Sequence, residues 1–183
     1  SLLPQAFSRL TKVYAYFDRN NNRLILNTTN AKKTEVFTSM LQKSIEDLTI
    51  TPLPLKNLNT IMTNWIQRDN LPKAFNIEDA CVLKDLAMAS KIIRFKGQDL
   101  FSKSIQLFLA DSYKVDQITI TWQDRATFVL KENFNLCTIK YIEEIAADNE
   151  AIESKDEKII ADFIIMTDLF NLLLNDLLKI CEK

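Results

Sequence analysis

One glycine in 183 residues is the tightest constraint on this chain. Folds that cradle phosphate in glycine-rich loops bring several backbones to places where a Cβ would collide. A lone Gly97 supplies neither a P-loop nor a Gly-x-Gly-x-x-Gly turn. Positive φ at turns must fall instead to residues that tolerate it, such as the Asn20-Asn21-Asn22 run. Histidine is absent, which removes the common proton shuttle, the common imidazole metal ligand and every nucleophile arrangement built on a His base. With 47% hydrophobic residues the chain can bury a core, and its length fits one domain or two small ones sharing a core.

Cys81, Cys137 and Cys181 lie far apart with no Cys-x-x-Cys pair, and are read as reduced thiols of a cytosolic protein. The start, Ser1-Leu2-Leu3-Pro4, lacks the pattern of a signal peptide and is read as a cut boundary rather than a natural beginning. The most apolar region, 159–178, is interrupted by Asp162, Asp168 and Asp176, so it belongs in a core rather than in a bilayer.

Periodicity assigns the elements. Leu2, Leu3, Phe7 and Leu10 share one face of a short helix. Val13, Ala15 and Phe17 alternate with Tyr14 and Tyr16, and the Asn run then leads to Leu24-Ile25-Leu26, which predicts a β-hairpin. Thr29 or Asn30 can cap a helix of about four turns carrying Val36, Phe37, Met40, Leu41, Ile45 and Leu48. A short strand is expected at 50–55, then an amphipathic helix with Leu58, Ile61, Met62 and Trp65, and a joint at 69–73. The second part predicts a strand at 91–95, a buried helix with Ile105, Leu107, Phe108 and Leu109, and an antiparallel meander of 117–122, 127–131 and 136–141 with one covered face. An acidic connection at 143–156 precedes a long helix from about 157 to 182. Its narrow polar stripe of Asp168, Asn171, Asn175 and Lys179 predicts burial of most of its circumference. The expected class is α+β, mixed helices with mainly antiparallel sheets, divided into a basic subdomain 1–71 and an acidic subdomain 72–183.

The net charge of −1 conceals a dipolar chain: residues 1–100 hold 14 basic against 9 acidic residues, and residues 101–183 hold 9 against 15. Within residues 1–43, Arg9, Lys12, Arg19, Arg23, Lys32, Lys33 and Lys43 face only Asp18 and Glu35. Such a cluster suits a polyanion without demanding one, and no helix-turn-helix, zinc finger or RNA-binding aromatic motif accompanies it. Arg9, Lys12, Arg23, Lys32 and Lys33 are the candidate DNA contacts on charge alone. Adjacent Glu143 and Glu144 diverge on a helix or a strand and make no acid/base pair, and Asp162, Asp168 and Asp176 form no Asp-x-Asp cluster for a metal. No catalytic residue and no cofactor is expected. Lys96-Gly97-Gln98 reads as a plain turn or a contact between subunits, and Phe7 as a core plug or an aromatic anchor for a partner's pocket.

Six ordered blocks carry a resemblance: Ser1-Leu2-Leu3-Pro4-Gln5-Ala6-Phe7-Ser8-Arg9, Ala31-Lys32-Lys33, Pro52-Leu53-Pro54-Leu55, Gln98-Asp99-Leu100, Trp122-Gln123-Asp124-Arg125 with Phe128-Val129, and Ala161-Asp162-Phe163-Ile164-Ile165-Met166-Thr167. Together they resemble the recombination-associated RdgC family of proteobacteria over essentially the whole chain, with the amino-terminal third of the usual protein missing. The resemblance implies a non-enzymatic, nucleoid-associated protein whose ring-shaped homodimer encircles double-stranded DNA without sequence preference and hinders the RecA recombinase. It implies that Phe7 closes one subunit contact and that Lys96, Gly97 and Gln98 lie near the opposite one. Family members often carry a second basic residue where this chain has Gly97. Two rival readings remain: a module that touches a recombination protein without contacting DNA, and a magnesium-dependent nuclease.

Overall fold

With one glycine to draw on, the described turns rest mostly on polar residues held in the left-handed region. A computed structural model describes residues 11–53, 57–88, 90–141 and 154–181. Among these, eight non-glycine residues have positive φ, and five of the eight are Asn or Asp: Asn22, Asp47, Asn57, Asp69 and Asp124. Short polar side chains that bond local backbone lower the cost of that conformation. The chain divides into two compact units, residues 1–53 and 54–183. The boundary differs from the expected 71/72 because the apolar face of the helix at 58–68 is part of the second unit's core. The leading helix expected around Phe7, and most of the acidic connection, lie outside the described residues.

In the first unit β1 (Ala15–Asp18) and β2 (Arg23–Leu26) form the expected hairpin, with Tyr16 opposite Ile25 and Asp18 opposite Arg23. Asp18 fastens the turn: its carboxylate accepts from the Asn20 and Asn21 backbone N–H groups at 3.1 and 3.3 Å and from Asn21 Nδ2 at 2.7 Å. Asn30 caps α1 (Ala31–Ser44) by accepting from the Lys33 N–H at 3.1 Å. Half-buried Thr34, Phe37, Thr38 and Leu41 recur at three- and four-residue steps along one side of α1. Val36 and Met40 swing away from that side and are exposed, against the expectation of a single apolar face. The helix ends at Ser44 because Ile45 is already extended, so Ile45 and Leu48 do not continue it. No strand forms at 50–53, where Pro52 has no N–H to offer a ladder. Among the described residues of this unit, only Asp18 is buried.

The second unit is built on a five-stranded antiparallel sheet in the order β4-β3-β5-β6-β7. Its strands are β3 (Phe75–Asp85), β4 (Ile92–Lys96), β5 (Tyr113–Trp122), β6 (Ala126–Lys131) and β7 (Leu136–Tyr141). The meander β5-β6-β7 is as expected, and β3 is not: the longest strand was missed. Its partners explain why. Ile77 pairs with Ile120 but Cys81 with Ile118, so two extra residues bulge from β3 around Glu78 and Asp79, and Asp79 interrupts the apolar row of Phe75, Ile77, Cys81 and Leu83. Leu83, Val115, Ile118, Ile120, Phe128 and Leu130 line the covered face, with Trp122 at its end. Gln123 and Asp124, both at positive φ, make the β5–β6 turn, closed by the Arg125 N–H bonding to the Trp122 carbonyl at 2.8 Å.

Three helices belong to the core on that face. α2 (Leu58–Arg68) buries Leu58, Met62, Trp65 and Ile66, a helical stripe at four-, seven- and eight-residue spacing. α3 (Lys103–Ala110) buries Ile105 and Leu109, whereas Leu107 is 73% exposed, so only one side of this helix is in the core. The two helices cap each other: Gln67 Nε2 donates to the Leu109 carbonyl at 3.1 Å and Gln106 Nε2 to the Ile66 carbonyl at 3.0 Å. Each amide thus satisfies a carbonyl of a last helical turn that has no partner within its own helix. α4 (Lys155–Cys181) buries Leu173, Leu174, Leu177 and Leu178 in its carboxy-terminal half. Its amino-terminal half leaves Ile159, Ile160, Ile164 and Met166 exposed, which corrects the expectation that most of the helix circumference is buried. A helix of 27 residues runs about 40 Å at 1.5 Å per residue, longer than the core it meets.

Thr63 joins α2 to the sheet. Its hydroxyl, wholly buried, donates to the Asn59 carbonyl at 2.7 Å and accepts from the Val115 N–H at 3.0 Å, beside the register shift in β5. Thr63→Val strands that N–H in an apolar layer and is expected to cost about 2 kcal/mol. Urea unfolding followed by tryptophan fluorescence reads this as a lower midpoint, since Trp65 and Trp122 both lie in this core. Gly97 follows β4 with φ +69, and a Cβ placed there finds its nearest neighbour, Asp79 Oδ2, at 4.0 Å. Space is open and only the backbone objects, so Gly97→Ala is expected to cost about 1 kcal/mol and Gly97→Asn less in the same assay.

Candidate nucleic-acid interface

Holding a polyanion takes several exposed cations that are not already neutralised, because each phosphate contact draws on a separate charge. In the first unit Lys12 is exposed just before β1, Arg19 is exposed in the hairpin turn, and Arg23 opens β2 half-buried opposite Asp18. Lys32 and Lys33 are exposed in the first turn of α1, and Lys43 in its last. Lys32 and Lys43 are separated by about three turns and so share a side of the helix. Lys12, Arg19, Lys32, Lys33 and Lys43 make no ion pair among the described residues. Four of the five candidate DNA contacts, Lys12, Arg23, Lys32 and Lys33, thus stand on one compact unit, and Arg9 lies outside the described residues.

The start of α1 is electrostatically unusual. Unpaired backbone N–H groups make a helix N-terminus the positive end of its dipole, where acidic side chains are favourable. α1 has no acidic residue in its first turn and two lysines there instead. The Asn30 side chain takes up one N–H, and the remaining positive potential is unopposed locally. An anion placed there relieves the repulsion.

A second group of cations escaped sequence reading. Strand alternation brings Lys84, Arg94, Lys96, Lys114, Lys131 and Lys140 to the uncovered face of the five-stranded sheet, through the pairings Val82–Arg94, Ala80–Lys96, Lys84–Lys114, Gln117–Lys131 and Thr127–Lys140. Acidic groups on this side are engaged. Asp116 and Glu132 bracket Lys84 at 3.8 and 3.3 Å, and Glu78 accepts from the Thr121 hydroxyl at 2.5 Å. Arg94, Lys96, Lys114, Lys131 and Lys140 make no ion pair among the described residues. Residues 54–183 hold 16 basic against 20 acidic residues, which hid this face from counting along the chain. Alternation of lysines with apolar residues within each strand was the available signal.

Lys96, Gly97 and Gln98 are exposed together at the exit of the edge strand β4, with the Gln98 N–H bonded to the Asp79 carbonyl at 3.3 Å. Phe7 lies outside the described residues. The other titratable groups that stand out in the fold are structural. Burial pushes the Cys81 thiol up to about 12, so it stays protonated and inert. Desolvation works to raise the Asp85 carboxyl, but hydrogen bonds from the Ala87 and Met88 N–H groups and the Ser112 side chain, with Lys91 nearby, hold it below the usual carboxylate range. That carboxylate organises the turn after β3. A cleft of about 570 Å³ lined by Ile61, Trp65, Pro72, Phe75 and Ile180 also carries Asp176 and Lys179, which pair with each other at 3.2 Å. Among the described residues no group of three or more His, Cys, Asp or Glu is placed to hold a metal, and no helix is long and apolar enough to cross a membrane.

Comparison with known proteins agrees with the block-by-block resemblance. Residues 1–183 match a family model described as "Putative exonuclease, RdgC". A recombination-associated protein RdgC of Yersinia enterocolitica is 32% identical over 182 residues, covering 98% of this chain and 60% of that protein. The protein of the same name from Aeromonas hydrophila is 34% identical over 170 residues, covering 91% of this chain and 56% of the relative. That of Yersinia pestis strain Pestoides F is 32% identical with 98% and 60% coverage. The chain thus spans about 60% of the length of these curated relatives, and on the strength of a match along its whole length it belongs to the RdgC family of recombination-associated proteins.

Proposed function

We propose that this chain contacts double-stranded DNA through its phosphates, without reading sequence, as part of a protein that modulates recombination. The observation that carries this reading is the lysine pair at the start of α1. Lys32 and Lys33 sit where the helix dipole already favours an anion, among the exposed Lys12, Arg19 and Lys43. Arg94, Lys96, Lys114, Lys131 and Lys140 on the open sheet face add a second set of phosphate contacts. Neither set carries the side-chain pattern of a base-reading element, so affinity comes from counterion release.

Two copies form a ring around the duplex, with Phe7 closing one self-contact and Lys96, Gly97 and Gln98 lying at the other. Occupancy of the duplex then obstructs strand exchange by the RecA recombinase, with no bond made or broken and no cofactor. Nucleoid association follows from DNA binding. The rival interaction module would bind a recombination protein equally well in the absence of DNA. A nuclease reading is favoured by the family description alone; incubation with plasmid and magnesium separates it, since occupancy leaves the plasmid intact.

Two measurements test the proposal. Binding to duplex DNA of unrelated sequences is expected to fall steeply with salt and to vary little with sequence. Lys32→Ala with Lys33→Ala is expected to flatten the log–log salt slope by roughly 1.8, two contacts at about 0.9 each. A slope that the double variant leaves unchanged removes α1 from the interface. Phe7→Ala is expected to weaken self-association of the full-length protein in sedimentation, and an unaltered dimer rejects its assigned place.

A further inference from the structure

We infer that the exposed stripe on the amino-terminal half of α4, at Ile159, Ile160, Ile164 and Met166, is the seat of polypeptide that RdgC-family proteins carry outside the stretch matched here. This rests on family membership and is independent of the DNA reading.

The stripe continues a surface that is already a packing interface. Ile159 and Ile160 stand 18 residues before Leu177 and Leu178, which is five full turns at 3.6 residues per turn. They therefore project in the same direction from the helix axis. Leu177 and Leu178 are 0% and 7% exposed in the core, whereas Ile159 and Ile160 are 56% and 59% exposed. Ile164 and Met166 widen the same sector, as Leu173 and Leu174 do in the buried half. One continuous apolar face thus has its carboxy-terminal half covered and its amino-terminal half bare. Asp156, Glu157, Lys158 and Asp162, exposed beside the stripe, suit its rim to water rather than to a bilayer.

Size argues for a joined segment over a free partner. Four side chains about half exposed present a few hundred Å², which is large for an idle surface but well short of the roughly 800 Å² per partner of a stable protein–protein interface. Such an area is adequate when the occupant is held by the same chain, because covalent linkage removes most of the cost of association. The family supplies the material: 60% of the length of the Yersinia relatives is matched, so two fifths of each lies outside. A segment of that stretch lying along the stripe extends the layer of helices over the sheet.

A single polypeptide tests this directly, joining the 183-residue chain to the unmatched residues of the Yersinia enterocolitica relative in that protein's order, so that the occupant stays covalently held; hydrogen exchange and urea unfolding are the readouts. Residues 158–166 are expected to exchange at least tenfold more slowly in the fusion than in the chain alone. Ile160→Asp with Ile164→Asp is expected to remove that protection while leaving the urea midpoint of the chain alone unchanged, because both side chains start exposed. Leu107→Asp, on the exposed side of α3, serves as the control and is expected to leave the protection unchanged. Equal exchange in the fusion and the chain overturns the inference, as does a double variant that keeps the protection. Protection of the stripe in the chain alone that rises with its concentration assigns the stripe to a second copy and also overturns it.

Discussion

Burial of a single face of the five-stranded sheet governs the rest of the second unit. Because side chains alternate, committing Leu83, Val115, Ile118, Ile120, Phe128 and Leu130 to the helical layer commits their neighbours to the other side. The register shifts in β3 and β5 keep that commitment consistent along strands of unequal length, and Thr63 supplies the hydrogen bond that one of them removes from the ladder. Polar anchors then fix the helices where apolar packing alone would allow sliding. The Asp176 carboxylate accepts from the Trp122 indole N–H at 3.1 Å and from Gln123 Nε2 at 3.3 Å, tying α4 to the β5–β6 turn. The family-like Trp122-Gln123-Asp124-Arg125 block is therefore, in its first two residues, an architectural device.

The same alternation produces the open basic face. Six cations reach it from all five strands, although no stretch of sequence containing them is conspicuously basic. In the first unit the route is different, since the lysines of α1 are neighbours in sequence and gain their meaning from the helix end that holds them. A low acidic content in that first turn matters more than the number of lysines.

Periodicity made the hairpin, α1, α2, β4, α3, the meander and α4 legible as element types. It failed at β3, where an acidic bulge interrupts the alternation, and at 50–53, where an apolar and proline-rich run without a partner forms nothing regular. Exposure was less legible than element type. Leu107, Val36, Met40 and Ile159 carry apolar side chains at helical spacing and still face outward, because spacing records which residues share a side and not whether anything covers that side. Among the candidate contacts, Lys12, Arg23, Lys32 and Lys33 were visible from charge clustering, whereas Lys84, Lys114, Lys131 and Lys140 were diluted among acidic neighbours along the chain.

The residue string determined on its own that positive φ must fall mainly to residues other than glycine, that phosphate-cradling glycine loops and histidine chemistry are excluded, and that the chain falls in the RdgC family. These are properties of composition and local order, and need no partner to be expressed. Tertiary structure decided that α2 joins the second unit, that one side of the sheet is dry and the other basic, and that half of α4 packs while the half in line with it does not. Those outcomes depend on which surfaces meet, and residues far apart in the chain meet only once the strands have chosen their order.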